Sequence, residues 1–440
     1  MSFIGDLRKN DKKGLFDTTD DFDSYSTSFL PLDFANGFIC NFKDPVSGIY
    51  VPQPVVGVMS GRHTTVIGET GSCKSTLAES IGGSIVRQFE DALLMDIDAE
   101  RTALKPWLAK ICGLPEDDER LVINNTHVSI EETLELIDRI CETKEQGKGL
   151  YQYTLKRTIS GKEVKMYVPT VIIIDSIYVF NSLELKTDEL EGQMEGGRAA
   201  KQIAQFYNKT LANMIKYNIN IIAVNHIKAN IDLNMFSKTP KQMMMLKQGE
   251  TIPRGKMPLY MSQNVFRCGV SSAKDNMYTM EDHGFRGMKV NVQIAKTKTA
   301  FVGSSVNLVF NSQFGLDPVY TLYEFAYDCG LLQGRNPYIY VQGLEEFKFS
   351  RKNFRKLFID NPEFRNEFYK VIQPHLNALL GTKASTKDEQ EESQMYFDVN
   401  MDRGNNEELI NQAVIDTNNA AEVIDITETV NSIKKAKKTA

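Results

Sequence analysis

No apolar run in this 440-residue chain is long enough to span a bilayer. Its opening, MSFIGDLRKNDKKG, has none of the apolar character of a signal peptide. A membrane partner is therefore not expected. The six cysteines (Cys40, Cys73, Cys112, Cys141, Cys268, Cys329) are scattered and form no CxxC pair. That argues against zinc and against a disulfide framework, and for a reducing, cytoplasmic compartment. Internal repeats are absent, and tryptophan occurs once, as Trp107. Positive charge is also short: the formal net charge of −6 would count against a nucleic-acid binder, were the charge evenly spread. A hydrophobic content of 42% and a charged content of 25% are ordinary for a globular protein with room for more than one domain.

Four regions follow from composition and pattern. Residues 1–23 are polar and mixed in charge, and read as an arm. Residues 24–330 alternate strand and helix patterns. Apolar runs such as HTTVIG, ALLMDID, TVIIIDS and INIIAVNH read as buried parallel strands, with helical stretches such as SIEETLELIDRICET between them. The expected fold class is an α/β core with a mostly parallel central sheet flanked by helices. YQYTLKRTISGKEVKMYV reads as a hairpin inserted before a core strand, with SGK as its turn. Residues 331–384 form a small appendage with aromatics and basic helices. Residues 385–440, rich in Asp and Glu and ending KKAKKTA, read as an acidic disordered tail.

The stretch VIGETGSCKST comes close to the phosphate-loop pattern G-x-x-x-x-G-K-[ST]. It lies between a predicted strand and a predicted helix, where backbone N–H groups of Gly68, Glu69, Thr70, Gly71, Ser72, Cys73 and Thr76 would face phosphate. Lys74 would reach the β- and γ-phosphates of ATP, and Ser75 would ligate Mg²⁺. Cys73 replaces the last glycine and puts a Cβ beside the phosphates. Asp175, ending TVIIIDS, is either a helix N-cap or the second carboxylate of the metal site. A phosphate loop upstream favours the metal role, because a buried carboxylate must be paired or metal-linked. The strand-end MDIDAERT offers Asp96, Asp98 and Glu100. Glu100, just past the strand, has the reach for a general base, against the bland alternative of a solvated loop acid.

These segments, followed by AVNHIK, resemble the RecA recombinase family in order and spacing. The likeness is strongest to the UvsX-type recombinases of large bacteriophages, which also lack the last phosphate-loop glycine. It runs over roughly residues 24–345 and takes in STSFLPLDFANG, MEGGRAAKQIAQFYNK, VQIAKTKTAF and VYTLYEFAYDCGLL. It implies a RecA-like ATPase fold in which Glu100 is the catalytic glutamate. His226, read from the residues alone as a buried histidine with satisfied hydrogen bonds, would be the polar sensor of the γ-phosphate. The adenine-stacking position falls on Trp107 or on Leu108. If the chain is phage-encoded, its compartment is the host cytoplasm.

In MKVNVQIAKTKTAF, Val290, Val292 and Ile294 share a face that Lys296 and Lys298 continue. Two ammonium groups cannot stay in a dry interior, so this end of the strand either emerges into water or meets an anion. The resemblance implies that these lysines reach the ATP of the next subunit in a filament. After NHIK come about 30 residues of irregular sequence with Lys228, Lys238, Lys241, Arg254 and Lys256 beside Phe236 and three consecutive methionines. Cations track phosphates and apolar groups wedge between bases. LKTDELEGQMEGGRAAK offers Arg198 and Lys201 after a glycine pair. Both segments match the two DNA-binding loops of the family; otherwise they are mobile surface loops. The expectation is an ATP-dependent recombinase that forms filaments on single-stranded DNA and pairs it with a duplex, aided by a single-strand-binding protein and a mediator. The alternatives are an accessory filament or scaffold without strand exchange, and a RecA-core translocase or helicase.

Overall fold

The computed structural model describes residues 21–183, 195–229, 245–271 and 273–380. Phe236, Lys238 and Lys241, most of the expected N-terminal arm, and the acidic tail lie outside them. Ten strands, numbered in chain order, build the central sheet. They are β1 (His63–Gly68), β2 (Leu93–Asp98), β3 (Leu121–Asn124), β4 (Thr170–Asp175) and β5 (Ile219–His226), then β6 (Asn264–Val270), β7 (Met277–Tyr278), β8 (Gly287–Lys296), β9 (Ser305–Asn311) and β10 (Gly315–Leu316). The order across the sheet is β10-β9-β8-β6-β1-β5-β4-β2-β3, with β7 paired to β8. The stretch β6-β1-β5-β4-β2-β3 is parallel throughout. From β8 onward the pairing is antiparallel.

The labelled helices are α1 (Leu30–Ala35), α2 (Lys74–Arg87), α3 (Lys105–Cys112), α4 (Ile130–Gln146), α5 (Glu195–Tyr217), α6 (Met257–Met261), α7 (Pro318–Asp328), α8 (Phe354–Asp360) and α9 (Pro362–Asn377). Continuous apolar strands are covered on both faces. In β4, Val171 and Ile173 join the cluster beneath α2, whereas Ile172 and Ile174 join the cluster with Ile137 of α4 and Ile203 and Phe206 of α5. The two-residue period of the strand thus splits one isoleucine run between two helical layers. α4 starts on a reciprocal cap, Ser129 with Glu132. This mostly parallel, helix-flanked sheet is the α/β core that the sequence implied.

The inserted hairpin is present, with Gln152–Thr154 antiparallel to Lys165–Tyr167. It packs on a second hairpin, Phe38–Lys43 with Tyr50–Val55, through Lys43 N–H donating to the Thr158 carbonyl at 3.1 Å. Beyond α7, a three-stranded ribbon spanning Leu332–Phe349 leads to α8 and α9. Their phenylalanines 349, 354, 358, 364 and 368 share one cluster with Tyr320 and Tyr323 of α7 and Phe34 of α1.

Candidate nucleotide site

Parallel strands end on one edge, and that edge carries the candidate residues. Register places Gly68 of β1 opposite His226 of β5, and Asp175 of β4 opposite Asp98 of β2. Clefts at the carboxyl ends of such strands are where α/β sheets bind ligands. The loop from Gly68 to Cys73 leaves β1 and enters α2 at Lys74. A Cβ on Gly68 would collide with the Ser72 hydroxyl and the Cys268 carbonyl, so packing demands glycine there. Ser72 Oγ donates to the Glu69 carbonyl at 2.7 Å, and Lys74 Nζ donates to the same oxygen at 2.6 Å. Burial lowers the pKa of the Lys74 ammonium, opposed by nearby Cys268, Asp175 and Glu100.

Cys73 has φ 61° and ψ 29°, the left-handed region. The sequence placed its oddity in the side chain; the backbone gives a second reason for glycine at this position. A non-glycine residue enters that region at a cost of about 1–2 kcal/mol. The Cys73 side chain packs against the cluster that contains Cys268. Burial pushes the Cys73 thiol up to about 11 and the Cys268 thiol up to about 12. Both are thiols at neutral pH.

Of the three acids in MDIDAERT, Glu100 is the one in contact with His226. Asp98 Oδ2 accepts from the Ala103 N–H at 2.8 Å, closing the turn. Asp96 is 2% exposed, and its Oδ1 has no hydrogen-bond partner among the described residues. Burial, followed by the charge of Glu79, pushes Asp96 up to about 8; burial likewise pushes Glu79 up to about 8, with the charges of Asp175 and Asp98 adding to it. The N–H groups of Ala99 and Glu100 both donate to the Asp175 carbonyl, at 2.8 and 3.2 Å, which docks the turn on β4. Glu100 Oε1 then accepts from Ser176 Oγ at 2.5 Å and lies 3.2 Å from His226 Nε2. Burial raises the Glu100 pKa, but Ser176, His226 and Lys74 outweigh it and hold the carboxyl below its ordinary value. Asp175 is pushed up to about 6 by burial, against a hydrogen bond with Ser75. The Asp175–Ser176 peptide is cis.

Lys74, Ser75, Glu100, Asp175 and His226 are therefore brought together. Other candidates sit elsewhere. Trp107 is 37% exposed on α3 and Lys110 Nζ lies 5.9 Å from its ring, while Leu108 is buried in the core. Lys296 keeps the parity of Val290, Val292 and Ile294, and its Nζ donates to the carbonyls of Leu259 and Tyr260 at the end of α6. Burial, then the charge of Lys298, lowers it to about 8. Lys298 lies past the end of β8 and is exposed. Arg198 and Lys201 are exposed on the first turns of α5. Lys228 and Arg254 flank the irregular segment, whose base is zipped by Lys228–Ala229 pairing with Glu250–Thr251. Exposed Lys256 is the N-cap of α6. Met245, last of the three methionines, packs on the cluster of Ile67, Ile227 and Leu246.

Two residues of this region escaped the sequence reading. Ser176 orients Glu100, and its place directly after Asp175 was the available signal. Arg267 of β6 forms a bidentate pair with Glu250, at 2.7 and 2.6 Å, and no local pattern announces it.

No protein-family model matches the chain. It is similar to the "Recombination and repair protein" of Enterobacteria phage T4, 22% identical over 315 residues that cover 70% of this chain and 69% of that protein. It is also similar to "Protein RecA" of Thermus aquaticus, 24% identical over 291 residues that cover 65% of this chain and 71% of that protein.

Proposed function

We propose that this chain is a RecA-family, DNA-dependent ATPase of the phage-recombinase type that assembles on single-stranded DNA and promotes homologous pairing and strand exchange. The observation that carries the reading is the contact of Glu100 with His226 beside Lys74. It joins the phosphate end of the cleft to the strand from which the basic segment 228–256 departs. The two distant relatives, one named for recombination and repair, support it.

In this reading the loop 68–73, Lys74 and Thr76 hold the phosphates of ATP, and Lys74 neutralises the β- and γ-oxygens. Ser75 and Asp175 suit Mg²⁺: a hydroxyl and a buried carboxylate already meet, and Mg²⁺ needs few protein oxygens because phosphates and waters complete its shell. Bound there, Mg²⁺ supplies charge neutralisation to the phosphates. Glu100 is ionised at neutral pH. Both of its contacts fall on Oε1, which leaves Oε2 to orient a water. His226 senses the γ-phosphate. Trp107 flanks the base, and Lys296 and Lys298 reach ATP across a subunit boundary. Arg198, Lys201, Lys228, Phe236, Lys238, Lys241, Arg254 and Lys256 hold DNA. The core 24–330 does this work, with 331–384 as an appendage and 385–440 as a tail that competes with duplex for the basic loops.

The test is ATP turnover with and without single-stranded DNA, followed by filament imaging and a strand-exchange assay. Stimulation, filaments and exchanged product are expected. Filaments without exchange would favour the accessory-scaffold alternative, and rings or directional unwinding the translocase.

A further inference from the structure

We propose that Tyr178 is the positioning residue through which occupancy of the loop roots by DNA reaches the Glu100–His226 pair. The inference rests on the recombinase reading and deepens it. Tyr178 follows Asp175 by three residues and is 38% exposed. Three contacts converge on it from different elements. The edge of its ring meets the His226 imidazole, with centroids 6.3 Å apart and planes at 73°. Lys228 Nζ lies 3.8 Å from its ring centroid. Arg254 Nε donates to its backbone carbonyl at 2.9 Å. A hydrogen bond with Lys228, and then its charge, draws the phenol's pKa below its ordinary value, with the charge of Arg254 adding to the effect.

Lys228 and Arg254 are the two roots of the basic segment, one on each limb. The short ribbon Lys228–Ala229 with Glu250–Thr251 holds the limbs together, and Arg267 ties the outgoing limb to β6 through Glu250. Arg254 sits at φ 63°, a left-handed conformation that a non-glycine residue adopts only when its surroundings hold it there. Two cations from opposite limbs thus meet on one tyrosine, whose ring also meets the sensor histidine.

An exposed cation over a ring is weakly held, and so is a neutral carbonyl contact beside a charge-assisted bond to phosphate. Backbone phosphates entering at the roots would draw Lys228 and Arg254 away. The ring then loses the charge on its face and is free to turn against His226. His226 in turn sets one of the two contacts on Glu100 Oε1. Tyr178 itself touches neither DNA nor nucleotide in this scheme; it translates the position of the cations into the orientation of the imidazole.

The test compares wild type, Tyr178→Ala, Tyr178→Leu and Tyr178→Phe for ATP turnover with and without oligodeoxythymidylate, with KM for ATP and melting temperature measured on each. Tyr178→Ala should keep the DNA-free rate and KM within about twofold, while the ratio of stimulated to unstimulated kcat falls about tenfold. Tyr178→Leu, which keeps apolar bulk but no ring face, should repeat that loss if the alanine variant folds poorly. Tyr178→Phe keeps ring and backbone and should retain most of the stimulation. Wild-type ratios in both Ala and Leu variants overturn the inference. So does a parallel loss of stimulated and unstimulated rates, which marks a structural role only. A wild-type protein whose turnover ignores DNA removes the recombinase reading and this inference with it. A stimulated wild type with equally stimulated variants removes this inference alone.

Discussion

Cys73 occupies a left-handed backbone position that glycine would fill without strain. Replacing it should relieve about 1–2 kcal/mol. The gain is offset by roughly 0.5–1 kcal/mol of extra chain entropy in the unfolded state and by lost packing of the sulfur. Cys73→Gly should therefore melt within about 1 kcal/mol of wild type and hydrolyse ATP at least as fast. A tenfold fall in turnover with an unchanged melt would show that the thiol has work of its own. Glu100→Gln keeps the shape and loses the charge; on the proposed reading it should bind ATP normally, turn it over roughly 10²–10⁴ times more slowly and leave longer-lived filaments. Normal turnover would place the water-orienting group elsewhere. Asp96 tests a different physics. Its folded pKa of about 8 lies above its ordinary 3.8, so below the ordinary value both states are protonated and nothing is lost. As pH climbs from about 4 to about 8, the unfolded chain ionises first and folding grows less favourable. Asp96→Asn removes the titration, so its melting temperature should rise relative to wild type as pH increases across that window. A constant offset at all pH values would mean that Asp96 is not the buried acid it looks to be.

At the scale of elements, Lys296 and Lys298 part company. β8 ends at Lys296, whose ammonium caps the carbonyls of the five-residue α6. A cation at a helix C-terminus contributes about 0.3–2 kcal/mol, so Lys296→Ala should lower the melting temperature measurably. Lys298→Ala, beyond the strand and exposed, should leave it unchanged; equal effects would refute the cap. Such differences also mark what was legible in advance. β4 could be read from VIIID because strands buried on both faces are apolar at every position, and α4 from its helical pattern. The positions of Lys74 and Ser75 at a helix start could be read from the loop pattern before them, and that of Asp175 from the apolar run it ends. The contacts among Glu100, Ser176 and His226 could not be read from spacing, because they depend on the lateral order of β2, β4 and β5; only the family resemblance put Glu100 and His226 at one site. Nor could the Lys296 cap, since α6 lies about 35 residues upstream of it in the chain.

For the whole molecule, the composite-site reading predicts complementation. A Lys296→Ala/Lys298→Ala double variant carries an intact phosphate loop, and Lys74→Ala carries intact lysines. Mixing the two should give more turnover than either alone, by up to the fraction of mixed interfaces that pair one good half with another. Additive rates at every mixing ratio would confine the lysines to their own subunit. The hydrophobic cluster of the C-terminal appendage has a further consequence, in time rather than in space. Phe34 of α1 belongs to that cluster, and a side chain on Gly37 would press on Leu380. During synthesis α1 emerges about 290 residues before α7 and about 330 before α9, the helices that cover it. At about 5–20 residues per second, Phe34 waits roughly 20–70 s for its partners. Newly made chains cannot close that cluster around α1 before then.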